Sequence, residues 1–413
     1  MMHRQFKEEQ LPNRPNEPPL GRLDFQIRYK DEKWVTRISS GKKREYTAPA
    51  SFDQIKKINR LIVDDIGHST FGLDFAISDQ SAKRIRRLAQ HGKELFDALI
   101  ADESKPEFLQ LVIDGPIRRV GEADLERSFL LTYEQACRIW WQFIYFKPIP
   151  ESEDQPIDLT GFLGTRALFV ADCLVSDIGN GSCIADLPPS LSKPATKAET
   201  PIVRHVWDNN LLSENLEADV LWHDGLSTIR RIELSPPLDP DPSHYIPMRD
   251  RLAEFVTASS DALHFDCHGL PEHEITPWTI DIGVLRDFTA KNADMLAWNF
   301  QSIHLAIGVL NVCYSGRGQL GEKSDSLAES FIAQGMSAVI APMAKAPLLV
   351  LMEASRTLYD ELLKGASLLA AFSAAQMKLL AEGNPAGLAL VLHLDDGASA
   401  DDFGLTFEPD RTA

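Results

Sequence analysis

The sequence predicts an α/β fold: a mainly parallel central sheet with helices packed on its faces. Three observations carry that expectation. In the second half, apolar runs of strand length alternate with longer segments of helical period, the order that βαβ units produce. One run, Ile303–Val312, is almost continuously apolar, as a parallel strand buried on both faces must be. Two strand candidates also end in chemistry-bearing residues followed by glycine, His264-Phe-Asp-Cys-His-Gly269 and Leu310-Asn-Val-Cys-Tyr-Ser-Gly316. Parallel sheets gather function beyond the carboxyl ends of their strands.

Along the chain, residues 1–20 hold Pro12, Pro15, Pro18 and Pro19 among polar neighbours and are expected to form a disordered tail. Residues 21–155 are expected to form an N-terminal α+β region, either regulatory or an early part of the unit that follows. It comprises a β segment over 23–48, a helix near 52–66, a second helix over 79–100, and a strand at Phe108–Ile113 ending in a Gly-Pro turn. The aromatic run Glu134–Phe146 predicts a buried helix rather than a base-stacking platform, because no cations interleave its rings. Residues 156–395 are expected to form the main α/β unit. Strands are predicted at Arg166–Asp172, Ala218–Trp222, Ala262–His268, Ile303–Val312, Ala338–Ala341 and Leu388–Leu394. Helices are predicted over 248–258, 325–334, 347–364 and 366–382. Residues 184–202 and the proline-rich 235–243 read as loops, the first open to cleavage. The acidic end, 396–413, is expected to be a flexible tail.

The chain has 413 residues, 44% hydrophobic and 25% charged, enough for two cores. No run of about 18 uncharged apolar residues occurs, so no membrane span is expected. The polar opening Met-Met-His-Arg-Gln-Phe lacks the apolar core of a signal peptide. The net charge of −18 is uneven: residues 1–100 carry 19 Lys/Arg against 14 Asp/Glu, and the remainder 23 against 46. So acidic a body excludes a phosphate-tracking surface, and direct nucleic-acid binding is not expected. Five cysteines (Cys137, Cys173, Cys183, Cys267, Cys313) form no CxxC pair. A disulfide framework and a zinc ribbon are thereby excluded, and a reducing, cytoplasmic setting is expected.

If the two glycine-tipped strands are neighbours, His268 and Cys313 share one rim. A thiol needs an adjacent base to become a nucleophile at neutral pH, and an imidazole supplies it. The amides of Gly269 and Cys313 could then form an oxyanion hole. Strand alternation puts His264, Asp266 and His268 on one face and Cys267 on the other, with Asn311 on the side of Cys313. Asp266 and Asn311 are therefore candidate rim residues that orient a base or bind a substrate's basic side chain. No metal is expected at His264, Cys267, His268 and His273, because strand residues four apart lie about 13 Å from each other. Gly316-Arg-Gly318-Gln-Leu-Gly321 matches a dinucleotide-binding pattern, but the acidic residue due about twenty positions later is absent. A phosphatase loop would need arginine where Gln319 stands, and neither H-E-x-x-H nor G-x-S-x-G occurs.

His264–Gly269, Leu310–Gly316 and Phe331-Ile-Ala-Gln-Gly-Met-Ser-Ala-Val-Ile340, with Leu358–Gly365 and the Ala-rich helix after it, resemble the CHAT family of caspase-like cysteine peptidases. The resemblance is specific over about 260–382 and diffuse from about 80 to 260. It implies a caspase-like three-layer sandwich, with His268 as general base, Cys313 as nucleophile and the Gly269 and Cys313 amides as the oxyanion hole. It further implies a regulated endopeptidase of bacterial defence or programmed cell death, with a protein substrate, an activating protein partner and no cofactor. Relatives that cut after basic residues often carry an acid two positions before the cysteine; here that residue is Asn311. A catalytically inactive caspase-like scaffold and a nucleotide-binding protein using Gly316–Gly321 are the alternatives.

Overall fold

The computed structural model describes residues 22–30, 33–40, 42–67, 79–113, 117–120, 139–166, 168–173, 203–207, 252–258, 260–270, 279–281, 289–291, 307–313, 315, 326–364, 366 and 368–395. The predicted tails, the 184–202 and 235–243 loops, the Ala218–Trp222 strand and Gly316–Gly321 lie outside the described residues.

The chain opens with an antiparallel meander of β1 (Arg22–Lys30), β2 (Lys33–Ser40) and β3 (Lys42–Thr47). Helix α1 (Phe52–Gly67) starts at Ser51, whose hydroxyl accepts the Gln54 N–H. It buries Phe52, Ile55, Asn59, Ile62 and Ile66, one apolar stripe with a single amide. Asn59 Oδ1 accepts the Trp140 N–H at 3.1 Å. Helix α2 (Asp79–Leu99) buries Ile85, Leu88, Leu95 and Leu99. Gly92 allows its close approach to the aromatic segment: a Cβ there would lie 2.2 Å from Phe143 O.

Two expectations fail in this region. Phe108–Ile113 is not a strand but part of helix α3 (Lys105–Ile113), and the strand β4 (Ile117–Val120) comes after it. Phe108 packs on Tyr46 and Phe96, at ring-centroid separations of 6.0 and 5.6 Å. A six-residue run with five apolar positions satisfies either geometry, and packing on α2 and β3 selects the helix. The aromatic run is buried as expected but is not an α-helix in its described part, 139–146. Trp141–Phe143 form one 3₁₀ turn and the chain then runs extended, pairing Tyr145 with Phe162. Five consecutive residues, Trp140, Trp141, Gln142, Phe143 and Ile144, are all buried, which a one-sided helix could not achieve.

The rest of the chain supplies β5 (Leu168–Cys173), β6 (Val203–Trp207), β7 (Ala262–Leu270), β8 (Thr279–Asp281), β9 (Thr289–Lys291) and β10 (Ile307–Val312). Then follow α4 (Leu327–Ala333), β11 (Ala338–Pro342), α5 (Leu348–Leu363), α6 (Leu368–Ala381) and β12 (Leu390–Asp395). Among the described residues the strands form one sheet in the order β3-β2-β1-β4-β5-β12-β11-β10-β7-β8-β9, with β6 also beside β7. Two parallel blocks, β1-β4-β5-β12 and β11-β10-β7-β6, meet at the antiparallel β12–β11 pair. The expected α/β fold with a mainly parallel central sheet is therefore present. β6 was not foreseen.

Strand alternation divides the core. Val203, Ala262, Ile307, Val309, Ala338 and Ile340 pack under α5 and α6. Val206, Leu263, Phe265, Leu310, Val312 and Val339 pack under α4 and the short helix at 252–256. Helices on both faces of a central sheet give three layers. Among the described residues no helix is long and apolar enough to cross a membrane.

Candidate functional site

The site is built on the pairing of β7 with β10. The two strands are parallel and in register, Ile307 against Ala262 through Val312 against Cys267. His268 and Cys313 are the next residue on each, side by side where the β7–β10 ladder ends; β10 stops at Val312, while β7 runs on to Leu270. Adjacent strands lie about 4.8 Å apart. On its other side the end of β7 pairs with β8, His268 opposite Asp281 and Gly269 opposite Ile280.

Cys313 begins a tight turn closed by the Ser315 N–H to Val312 O at 3.1 Å; Ser315 O in turn accepts the Ala328 N–H in the first turn of α4. Its thiol is half-buried and donates to Ala346 O at 3.7 Å. Burial pushes that thiol up from its ordinary value, against the pull of the Ala346 contact and of nearby Lys345. Cys267 points the other way, as alternation required: it is buried, and its Sγ donates to Val206 O at 3.8 Å.

Asp266 and Asn311, expected at the rim, lie just beneath it in a buried polar network on the α5 side. Both are covered, at 3% and 5% exposure. Asn311 Nδ2 donates to Asp266 Oδ1 at 2.7 Å and approaches His264 Nε2 at 3.1 Å, while the Ser355 hydroxyl donates to Asn311 Oδ1 at 3.1 Å. His205 Nε2 meets Asp266 Oδ2 at 2.6 Å, and His264 Nε2 lies 3.1 Å from Oδ1. His264 Nδ1 reaches the Tyr359 hydroxyl at 3.1 Å. Burial opposes the charge on Asp266, but His264 and His205 beside it overcome that and hold the carboxyl well below its usual range. Burial, reinforced by Asp266, drives the Tyr359 hydroxyl well above its ordinary value, so it stays protonated.

His205, Ser355 and Tyr359 are the network members that sequence reasoning missed. His205 comes from the unforeseen β6, where register places it directly against His264. The β-branched and aromatic residues Val203, Val206 and Trp207 are a weak strand signal, and nothing local ties it to β7.

No family model matches the sequence, and no curated protein matches it. Among solved structures, two of the Saccharomyces cerevisiae separase–securin complex, at 3.0 and 2.6 Å resolution, are similar at 11% identity and a TM-score of 0.44. The matches cover 91% and 95% of this chain but 30% and 31% of the other, so the chain spans less than a third of the length it is matched to. At that identity and score, the chemistry of the site rests on its own geometry.

Proposed function

We propose that the chain is a cysteine endopeptidase that cuts a protein partner by acyl transfer, with His268 as general base and Cys313 as nucleophile. The observation that supports this is the β7–β10 register, which ends at Cys267 against Val312, so that His268 and Cys313 follow it on adjacent parallel strands. The Cys313 thiol is neutral at rest, so His268 must take its proton as sulfur attacks the peptide carbonyl. The Gly269 and Cys313 amides receive the oxyanion, His268 passes the proton to the departing amine, and water then releases the acyl group by the reverse sequence. A resting thiol held back by burial suits an enzyme that waits for a protein partner, and defence or programmed cell death is the setting this reading favours. A substrate side chain would reach Asp266 and Asn311 only by displacing part of their network.

An electrophilic peptide probe tests the proposal. It should form an adduct on Cys313, seen by intact mass and peptide mapping. Cys313→Ala should abolish labelling and cleavage without changing the circular dichroism spectrum. His268→Ala should slow labelling by about 10²–10⁴-fold. Labelling at another residue, or cleavage retained by Cys313→Ala, would sink it. The thiol's hydrogen bond to Ala346 O favours one rival, a non-catalytic scaffold; its mark would be an unreactive Cys313 with every partner present.

A further inference from the structure

His205, His264 and Asp266 form a buried cluster, one layer beneath the strand ends, whose chemistry the peptidase reading does not use. We propose that it is a binding site for one divalent transition-metal ion of the zinc class, held by His205 Nε2, His264 Nε2 and the Asp266 carboxylate.

The donors are two imidazole nitrogens and one carboxylate, all within 4.8 Å of one another and none more than 4% exposed. That nitrogen-rich set suits zinc, iron(II) or cobalt(II) rather than calcium or magnesium. Their convergence follows from the fold. Register sets His205 against His264 on neighbouring strands, with ring centroids 5.0 Å apart, and Asp266 stands two residues along β7 on the same face. Outer groups orient the donors: the Tyr359 hydroxyl holds His264 Nδ1, which leaves Nε2 turned toward the carboxylate.

His264 Nε2 lies 3.1 Å from Asp266 Oδ1, and Asn311 Nδ2 stands 3.1 Å from the same nitrogen and 2.7 Å from the same oxygen. A cation between the imidazole and the carboxylate would take one lone pair from each. Donors about 2.0–2.1 Å from a tetrahedral ion stand roughly 3.3 Å apart. The separations of 2.6 and 3.1 Å, each to a different carboxylate oxygen, open by less than an ångström on loading, while the two imidazole nitrogens, within 4.8 Å of each other, close by at most about 1.5 Å. Loading releases the proton between His205 and Asp266, as metal binding generally does. A half-turn of the Asn311 amide would offer Oδ1 as a fourth ligand and turn its NH₂ toward Ser355, whose oxygen can accept.

The test uses the full chain carrying Cys313→Ala, so that no thiolate at the rim can compete for the ion. The protein is stripped with a chelator, dialysed and titrated with Co²⁺ and then Zn²⁺. We expect one Co²⁺ per chain with visible d–d bands and no sulfur charge-transfer band, displacement by Zn²⁺, and a rise in Tm with either metal. Tyr359→Phe, which keeps the packing, should weaken binding about 10–100-fold, the usual cost of losing an outer-shell partner. His205→Gln and Asp266→Asn should weaken it further. Failure of the Cys313→Ala chain to take up either metal overturns the proposal, as does unchanged affinity in all three cluster variants. The peptidase reading stands or falls separately, because Cys313→Ala is the variant in which it predicts no cleavage.

Discussion

Cys313 and Cys267 sit on adjacent strands and face opposite sides of the sheet, which gives the two thiols different chemistry. Cys267 is sealed under α4, and Cys313 is half-covered with its acidity suppressed by burial. Iodoacetamide should alkylate Cys313 in the native protein more slowly than a free thiol at pH 7.5, at a rate still climbing above the ordinary thiol range. Cys267 should react only after unfolding. Peptide mapping separates the two, and fast labelling of Cys313 at neutral pH would contradict the burial argument. A second residue, His91, bonds Asp65 at 2.9 Å between α2 and α1, and that bond raises its pKa above 6.5. A group raised on folding stabilises fully below its unfolded pKa and loses that contribution as pH rises through its folded one. His91→Gln should therefore lower stability by about 0.5–1 kcal/mol at pH 5.5 and by less at pH 8.5. Equal losses from urea midpoints at both pH values would refute this. The sequence exposes His268 and Cys313 through their glycine-tipped strands, but an ion pair between two helices has no local signature.

At the scale of elements, α4 shows what local sequence can encode. Ser326 and Glu329 form a reciprocal capping box, with the Ser326 hydroxyl accepting the Glu329 N–H at 3.2 Å and the Glu329 carboxylate accepting the Ser326 N–H at 2.6 Å. The other end closes at Gly335, whose φ of 106° is strained for any side chain. Ser326→Ala should cost about 1 kcal/mol. Gly335→Ala should cost about 1–2 kcal/mol, because Cβ then meets the following carbonyl oxygen. Chemical denaturation measures both, and a neutral Gly335→Ala would show that the turn relaxes. Segments of helical length and composition place α1, α2, α4, α5 and α6 from the sequence. Such signals fail at α3, where a short run of five apolar residues and Gln110 fits either state, and at 139–146, where burial on every side leaves no period to read.

At the scale of the molecule, one buried cluster joins distant parts of the chain. Ile62, Leu95 and Phe143 share it with Met343, Leu388 and Val391, and the Gln142 side chain donates to Leu388 O at 3.4 Å. The β4–β5 pairing carries the sheet across residue 155. A chain starting at residue 156 should therefore expose half a core and aggregate, and the full chain should unfold in one calorimetric transition. Two transitions, or a soluble and cooperatively folded truncation, would refute this. From the sequence alone come the α/β class, a buried parallel strand within Ile303–Val312, the opposed faces of Cys267 and Asp266, and the two strand ends that carry the imidazole and the thiol. All of these follow from period and composition within a few residues. Tertiary structure alone decides that β7 and β10 are neighbours in register, that β12 runs antiparallel to β11, and that His205 closes on His264 and Asp266. Strand order is set by how crossovers pack over a shared core, an interaction between segments tens of residues apart that no local period records.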